Sequence, residues 1–126
     1  VVGVHSGGHM SVSHGSGNGE GGENSSVGGL IGQLTGKVDR ARATGSAKGG
    51  DYSYVGGLIG RNGGIVTASS SSGTVSGGRY ARLGGLAGGN FGFIEGSSTT
   101  SRIDVTEGYN QFHGPLVGVN YGQVKP

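Results

Sequence analysis

Three of the four histidines in this 126-residue chain, His5, His9 and His14, fall within one ten-residue stretch. Imidazole nitrogens suit borderline metals, so this cluster is the first place to look for a cation. His5 and His9 could share a strand face, with His14 approaching through the glycine-rich segment that follows. No carboxylate stands at a matching short spacing, since Glu20 and Glu23 come further downstream. The plainer reading is an exposed, irregular terminal segment, on which no metal and no cofactor is expected.

The seven carboxylates are Glu20, Glu23, Asp39, Asp51, Glu95, Asp104 and Glu107. A glycosidase needs two of them about 5 to 10 Å apart across a groove. Asp39 and Glu95 share a phase of the repeat described below but sit two repeats apart, about 10 Å at the spacing of stacked strands. That geometry permits a pair without requiring one, and solvated surface charge is the simpler account. Serine is abundant, with a run at Ser69–Ser72. A nucleophilic serine needs a base and a strained turn of the G-x-S-x-G kind, and Thr44-Gly45-Ser46 lacks that frame. The serines therefore read as small ladder residues or surface hydroxyls, and the chain is expected not to be an enzyme.

Aromatic residues are better candidates for binding. Tyr52, Tyr54, Tyr80, Phe91, Phe93, Tyr109, Phe112 and Tyr121 are scattered through a chain that has no tryptophan and no cysteine. Rings exposed along one face can stack on sugars or anchor a protein. Tyr52, Tyr80, Tyr109 and Phe112 are the expected ligand-binding set. Tyr52 and Tyr80 share a phase, so the alternative is that they stack on each other; Tyr109 lies close to that phase.

The net charge of +2 is dispersed over Lys37, Arg40, Arg42, Arg61, Arg79, Arg82 and Arg102. A nucleic-acid binder concentrates such charge on one face, so no nucleic-acid partner is expected. No run approaches the roughly 18 apolar residues of a membrane-spanning helix, and no membrane insertion is expected. Absence of cysteine excludes disulfides and fits a secreted chain.

What must position these residues is a repeat. Val27-Gly28-Gly29-Leu30-Ile31-Gly32 returns as Val55-Gly56-Gly57-Leu58-Ile59-Gly60 and as Leu83-Gly84-Gly85-Leu86-Ala87-Gly88, and more loosely as His113-Gly114-Pro115-Leu116-Val117-Gly118. A fixed period near 28 to 30 residues means stacked supersecondary units that bury their apolar faces on one another. Thirty-three glycines leave few bulky side chains for an ordinary core, but coils one strand spacing apart need only a narrow interior. The repeats fall near residues 1–26, 27–54, 55–82, 83–112 and, in part, 113–126, within one repetitive solenoid. Val1-Val2-Gly3-Val4 matches Leu116-Val117-Gly118-Val119 in phase, so the chain reads as a segment of a longer repetitive protein.

Within a unit, Gly-Gly-Leu-Ile-Gly reads as one short buried strand with glycines at close backbone approaches. A G-x-G-x-x-G phosphate cradle would require a helix to follow, whereas a turn and another strand follow here. Asn62, Asn90 and Asn120, each two residues before a glycine, read as turns that use the left-handed tolerance of Asn and Gly. The strands expected next are Lys37-Val38-Asp39, Gly64-Ile65-Val66-Thr67, Phe93-Ile94-Glu95 and Gln123-Val124. Alternate small residues, Ala41, Ala43, Gly45 and Ala47, could then line one narrow face.

The segments Gly57-Leu58-Ile59-Gly60-Arg61-Asn62-Gly63-Gly64 and Gly85-Leu86-Ala87-Gly88-Gly89-Asn90-Phe91-Gly92 resemble the GLUG motif, named for its Gly-Leu-aliphatic-Gly core. Gly29-Leu30-Ile31-Gly32 departs from it at Leu34, and Pro115-Leu116-Val117-Gly118 at its first glycine. Such repeats occur in large bacterial surface and secreted proteins, including filamentous-haemagglutinin-like adhesins and the non-catalytic part of immunoglobulin-A-cleaving metalloproteases. The resemblance implies an all-β, right-handed parallel β-helix or β-solenoid outside the cell, and it brings no catalytic residues.

The expected function is therefore a non-enzymatic structural or adhesion module at the bacterial surface, a stalk or a binding surface for a host or matrix glycan or protein. Loops near residues 13–26 and 104–113 would carry recognition. Two alternatives remain open. One is the non-catalytic arm of a secreted protease or of a polysaccharide-active β-helix enzyme. The other is a filament segment that self-associates through uncapped ends.

Overall fold

The computed structural model describes residues 2–5, 9–11, 14–15 and 19–125, with side chains described from residue 19 onward. Every strand pair is parallel, no helix occurs among the described residues, and the chain forms a β-solenoid. Each coil lays one short strand on each of five sheets. The first sheet stacks Val2–His5, Ile31–Leu34, Ile59–Asn62, Ala87–Asn90 and Val117–Asn120. The second stacks His9–Ser11, Lys37–Asp39, Ile65–Thr67, Phe93–Glu95 and Gln123–Lys125. The third stacks His14–Gly15, Arg42–Ala43, Ser70–Ser71 and Ser98–Thr99. The fourth stacks Gly19–Glu20, Ala47–Lys48, Thr74–Ser76 and Arg102–Asp104. The fifth stacks Ser26–Gly28, Tyr54–Gly56, Arg82–Gly84 and Phe112–Gly114.

Register follows the repeat. Ile59 pairs with Ile31 on one side and Ala87 on the other, and Ala87 pairs with Val117. The longer last interval is absorbed in residues 105–111, between the fourth and fifth sheets, where Gln111 donates to the carbonyls of Gly77 (2.8 Å) and Gly78 (2.9 Å).

Gly-Gly-Leu-Ile-Gly is not one strand, as its apolar character suggests, but a corner. The fifth-sheet strand ends at Gly56, the chain bends at Gly57 and Leu58, and the first-sheet strand opens at Ile59. Its glycines answer to three separate close approaches. A Cβ on Gly56 would sit 2.0 Å from the Ile59 carbonyl oxygen of its own coil. On Gly57 it would sit 2.2 Å from the Gly85 carbonyl oxygen of the next coil and 2.8 Å from Ser71 Oγ on the third sheet. On Gly60 it would sit 2.4 Å from the Val27 backbone nitrogen on the fifth sheet of the previous coil. The fourth repeat carries Pro115 where Gly57 and Gly85 stand.

The corner therefore points inward, toward the third sheet, and splits the interior. One core holds Leu30, Leu58 and Leu86 with Ile31, Ile59, Leu34, Val38, Val66, Ile94, Ala41 and Ala43. The other holds Val27, Val55, Leu83, Ala47, Val75 and Ala81. Ala41, Ala43, Gly45 and Ala47 are all buried, as their alternation suggests, yet they serve both cores rather than one face.

Two further corners per coil use left-handed backbone. Arg40, Ala68 and Gly96 form one row, with φ of 53°, 48° and 61°. Asn24, Tyr52, Tyr80 and Asn110 form the other, with φ of 57°, 59°, 57° and 54°. Asn tolerates this region, whereas a bulky ring there is a true outlier.

Candidate functional site

The asparagines read as left-handed turns are something else. Asn62 and Asn90 are fully buried, and neither has positive φ. Asn62 Nδ2 donates to Asn90 Oδ1 at 2.9 Å, and Asn90 Nδ2 donates to Asn120 Oδ1 at 2.9 Å. Each Oδ1 also accepts from the backbone N–H two residues on: Gly64 at 3.0 Å, Gly92 at 3.2 Å and Gly122 at 3.2 Å. Asn90 additionally donates to the Gln123 carbonyl at 3.0 Å, so both its donors and its acceptor oxygen are used. The expected bond to the local backbone is present, but the glycine two residues on is there because coils touch. A Cβ on Gly64 would lie 2.0 Å from the Gly36 carbonyl oxygen.

The serines form ladders, as their small size suggests. Ser69 Oγ accepts from Ala41 N (3.1 Å) and donates to the Thr67 carbonyl (2.9 Å), and Ser97 Oγ accepts from Ser69 N (3.1 Å). Ser71 Oγ donates to the Gly85 carbonyl at 2.6 Å and lies 2.8 Å from Thr99 Oγ1. On the outer side of this sheet, Arg42, Thr44, Ser70, Ser72, Ser98 and Thr100 line a shallow groove of about 250 Å³. Among the described residues no carboxylate or histidine lines it; the row continues to His14, whose side chain lies outside the described residues.

The histidines separate. His5, His9 and His14 lie in strands of the first, second and third sheets, in register with Leu34, Lys37 and Arg42 respectively. His5 and His9 therefore belong to strands of two different sheets rather than to one strand; the side chains of all three lie outside the described residues. Among the described residues no three His, Asp or Glu side chains come together as a cation site would need. Residues 13 and 16–18 of the first expected recognition loop also lie outside the described residues.

Asp39 and Glu95 occupy one row, with Thr67 in register between them. Thr67 Oγ1 donates to Asp39 at 2.7 Å, and Arg40 Nε lies 3.2 Å from the other oxygen. The Thr67 hydroxyl first, and the charges of Arg40 and Lys37 after it, hold the Asp39 carboxyl below its ordinary value. A glycosidase general acid needs the opposite shift.

The aromatic residues fall into two groups. Tyr52 and Tyr80 stack at 5.1 Å between centroids and 12° between planes, at the two left-handed corners where the flanking coils carry Asn. Each covers one face of the other. Tyr109 is half-buried and offset by one residue from that row, which Asn110 continues; its ring lies under the Arg79 guanidinium at 5.4 Å. Phe112 lies apart from the tyrosine pair, exposed on the fifth sheet in register with Arg82.

The second group was not legible as a unit. Tyr54 meets Phe91 edge to face at 5.8 Å, and Phe91 stacks on Tyr121 at 5.1 Å. Arg82 lies 4.6 Å from the Tyr54 ring centre, and Arg61 lies 5.7 Å from Tyr54 and 4.9 Å from Phe91. The contact depends on Gly89, where a Cβ would come within 2.6 Å of the Tyr54 ring. The in-phase pair Tyr54 and Arg82 was the available signal, but the crossing from fifth to first sheet needs the corner.

No curated protein matches the chain in a sequence comparison. Residues 51–76, which run from the left-handed corner at Tyr52 through one strand of each sheet, match the family model of the GLUG motif.

Proposed function

We propose that this chain is a non-enzymatic segment of a bacterial surface or secreted adhesin, a stiff stalk whose outer faces double as binding surfaces. The observation that supports it is the bonding from coil to coil. Backbone ladders on five sheets, the Asn62–Asn90–Asn120 amides, the Ser69 and Ser71 hydroxyls and the Tyr52–Tyr80 stack all run along the solenoid axis. Repetition of this kind resists bending and gives length from small residues. Its chemistry asks for no substrate.

The test is made in the full-length protein on intact cells. Antibody labelling without permeabilisation should find the chain outside. Deleting these repeats should reduce adhesion, and inserting an unrelated solenoid of equal length should restore it if these coils act as a spacer alone. Adhesion lost in both variants would make the surface itself the binding element. Labelling only after permeabilisation would sink the adhesin reading.

A further inference from the structure

The fifth and first sheets, one on each side of the inward corner, share an outer surface. In register its rows read Ser26, Tyr54, Arg82, Phe112 and Gln33, Arg61, Gly89, Val119. Neither row holds a carboxylate. The acidic side chains lie elsewhere: Asp39 and Glu95 on the second sheet, Glu20 and Asp104 on the fourth, and Glu23, Asp51 and Glu107 in the turns after it.

On this surface two guanidiniums share one ring. Arg82 and Arg61 both lie against Tyr54, at 4.6 and 5.7 Å from its centre. The ion pairs among the described residues join Arg40 to Asp39 and Arg102 to Asp104, so neither Arg61 nor Arg82 is neutralised. Two cations against one ring, in rows without a carboxylate, leave a locally positive surface. Stacking covers the flat faces of a guanidinium and leaves its in-plane N–H groups, the fork that grips an oxyanion through two parallel bonds. Arg82 gives one of these to the Tyr52 carbonyl at 2.9 Å, which anchors it; the Arg61 side chain is exposed, and its guanidinium makes no hydrogen bond among the described residues. Beyond the pair stand two open rings, Phe112 at 52% and Tyr121 at 70% exposure.

We propose that this surface binds an acidic polysaccharide. Arg61 and Arg82 hold a carboxylate or sulfate, and neighbouring sugar rings pack their C–H faces on Tyr121 and Phe112. Nucleic acid is the poorer fit, because binding it draws on many phosphate contacts and only two cations are paired here. The inference rests on the binding half of the adhesin reading and names its ligand class.

The test uses the purified chain and immobilised polygalacturonate, dextran sulfate, neutral dextran and poly-glutamate, read by biolayer interferometry at two salt concentrations. Binding is expected to one or both acidic polysaccharides, weaker at high salt, and absent on neutral dextran. The two acidic arms tell carboxylate from sulfate. The double variant Arg61→Gln, Arg82→Gln should lose about tenfold or more, the scale of a charge-assisted contact. Arg42→Gln, which removes the same kind of charge on the third sheet, should bind as the parent does. Equal losses in both variants would reduce the effect to net charge and overturn the site. Equal or tighter binding to poly-glutamate would overturn the saccharide assignment, and no binding to either polysaccharide by a chain with a strand-rich circular dichroism spectrum would overturn the proposal. These readouts do not depend on where the protein resides in the cell, so they fail independently of the labelling experiment.

Discussion

Asn62 hands a hydrogen from its side-chain amide to Asn90 across one coil at 2.9 Å, in an interior that is otherwise aliphatic at this level. Leu34 occupies the same row one coil earlier and is fully buried, so the amide ladder begins against an apolar neighbour. A satisfied buried amide network strengthens each of its bonds, and a broken one leaves orphans.

That asymmetry orders two substitutions. Asn90→Leu removes the middle amide, takes one bond each from Asn62 Nδ2, Asn120 Oδ1 and the Gln123 carbonyl, and leaves the Gly92 N–H without its acceptor; it should cost about 3 kcal/mol or more. Asn62→Leu extends the Leu34 row and strands fewer groups, so it should cost about 1 kcal/mol less. Urea unfolding of the two variants side by side checks the order; equal losses would mean the ladder is not cooperative.

The glycines separate by what they touch. Gly57→Ala drives a Cβ into the Gly85 backbone carbonyl, which cannot yield as the nearby Ser101 and Ser71 hydroxyls can, and should cost about 3 kcal/mol or prevent folding. Gly63 meets only the Leu34 carbonyl at 3.3 Å, and Gly63→Ala should change stability by less than about 1 kcal/mol. Thermal unfolding distinguishes the two; a tolerated Gly57→Ala would refute the inward corner as the reason for glycine.

Tyr52 and Tyr80 combine an unfavourable backbone with a favourable stack. A left-handed non-glycine residue costs about 1–2 kcal/mol, and an aromatic pair returns about 0.5–1.5 kcal/mol beyond its burial. Replacing either ring by Asn, the residue at positions 24 and 110, should therefore shift stability by less than about 1 kcal/mol. The double-mutant cycle should still report a coupling of about 0.5–1.5 kcal/mol between the rings. A coupling of zero would mean the stack is incidental.

Asp39 gives the molecule an acid-sensitive contact. Its carboxyl is held below the ordinary 3.8, first by the Thr67 hydroxyl and then by Arg40 and Lys37. A depressed carboxylate stabilises the fold above the unfolded value, and that contribution disappears as pH falls through the folded one. Thr67→Val should lower stability at pH 6, and the gap from the parent should close as pH is taken below 3.8. A gap that stays constant with pH would assign the loss to packing instead.

The parallel solenoid was legible because Leu30, Leu58 and Leu86 recur with one phase, and a fixed period admits few architectures. The Tyr52–Tyr80 stack was legible for the same reason. The corner at Gly57 was not, because an apolar, glycine-flanked run looks alike whether it is straight or bent. Its meaning lies in contacts with Gly85, Ser71 and Val27, which belong to the next coil's corner, the third sheet and the fifth sheet. Asn62 misled through propensity: Asn before Gly suits a left-handed turn, yet a neighbouring coil offered its amide a better partner. The Arg61–Tyr54–Arg82 cluster joins rows on different sheets, and its enabling residue, Gly89, is informative only by lacking a side chain.

Pro115 gives the stack a direction. At the inward corner each coil passes an N–H to the next, Gly29 to the Gly57 carbonyl at 3.1 Å and Gly57 to the Gly85 carbonyl at 3.0 Å. Proline has no hydrogen to pass on, and its ring stands where even a single Cβ would collide with the carbonyl of a coil laid on top in the same geometry. A coil laid above Pro115 in that geometry would lack this one corner bond, while the ladders of the five sheets would be unaffected by it. Pro115→Gly restores that N–H and should raise the tendency of purified chains to stack end to end, read as more concentration-dependent oligomer than the parent in analytical ultracentrifugation; sedimentation equal to the parent's would refute it.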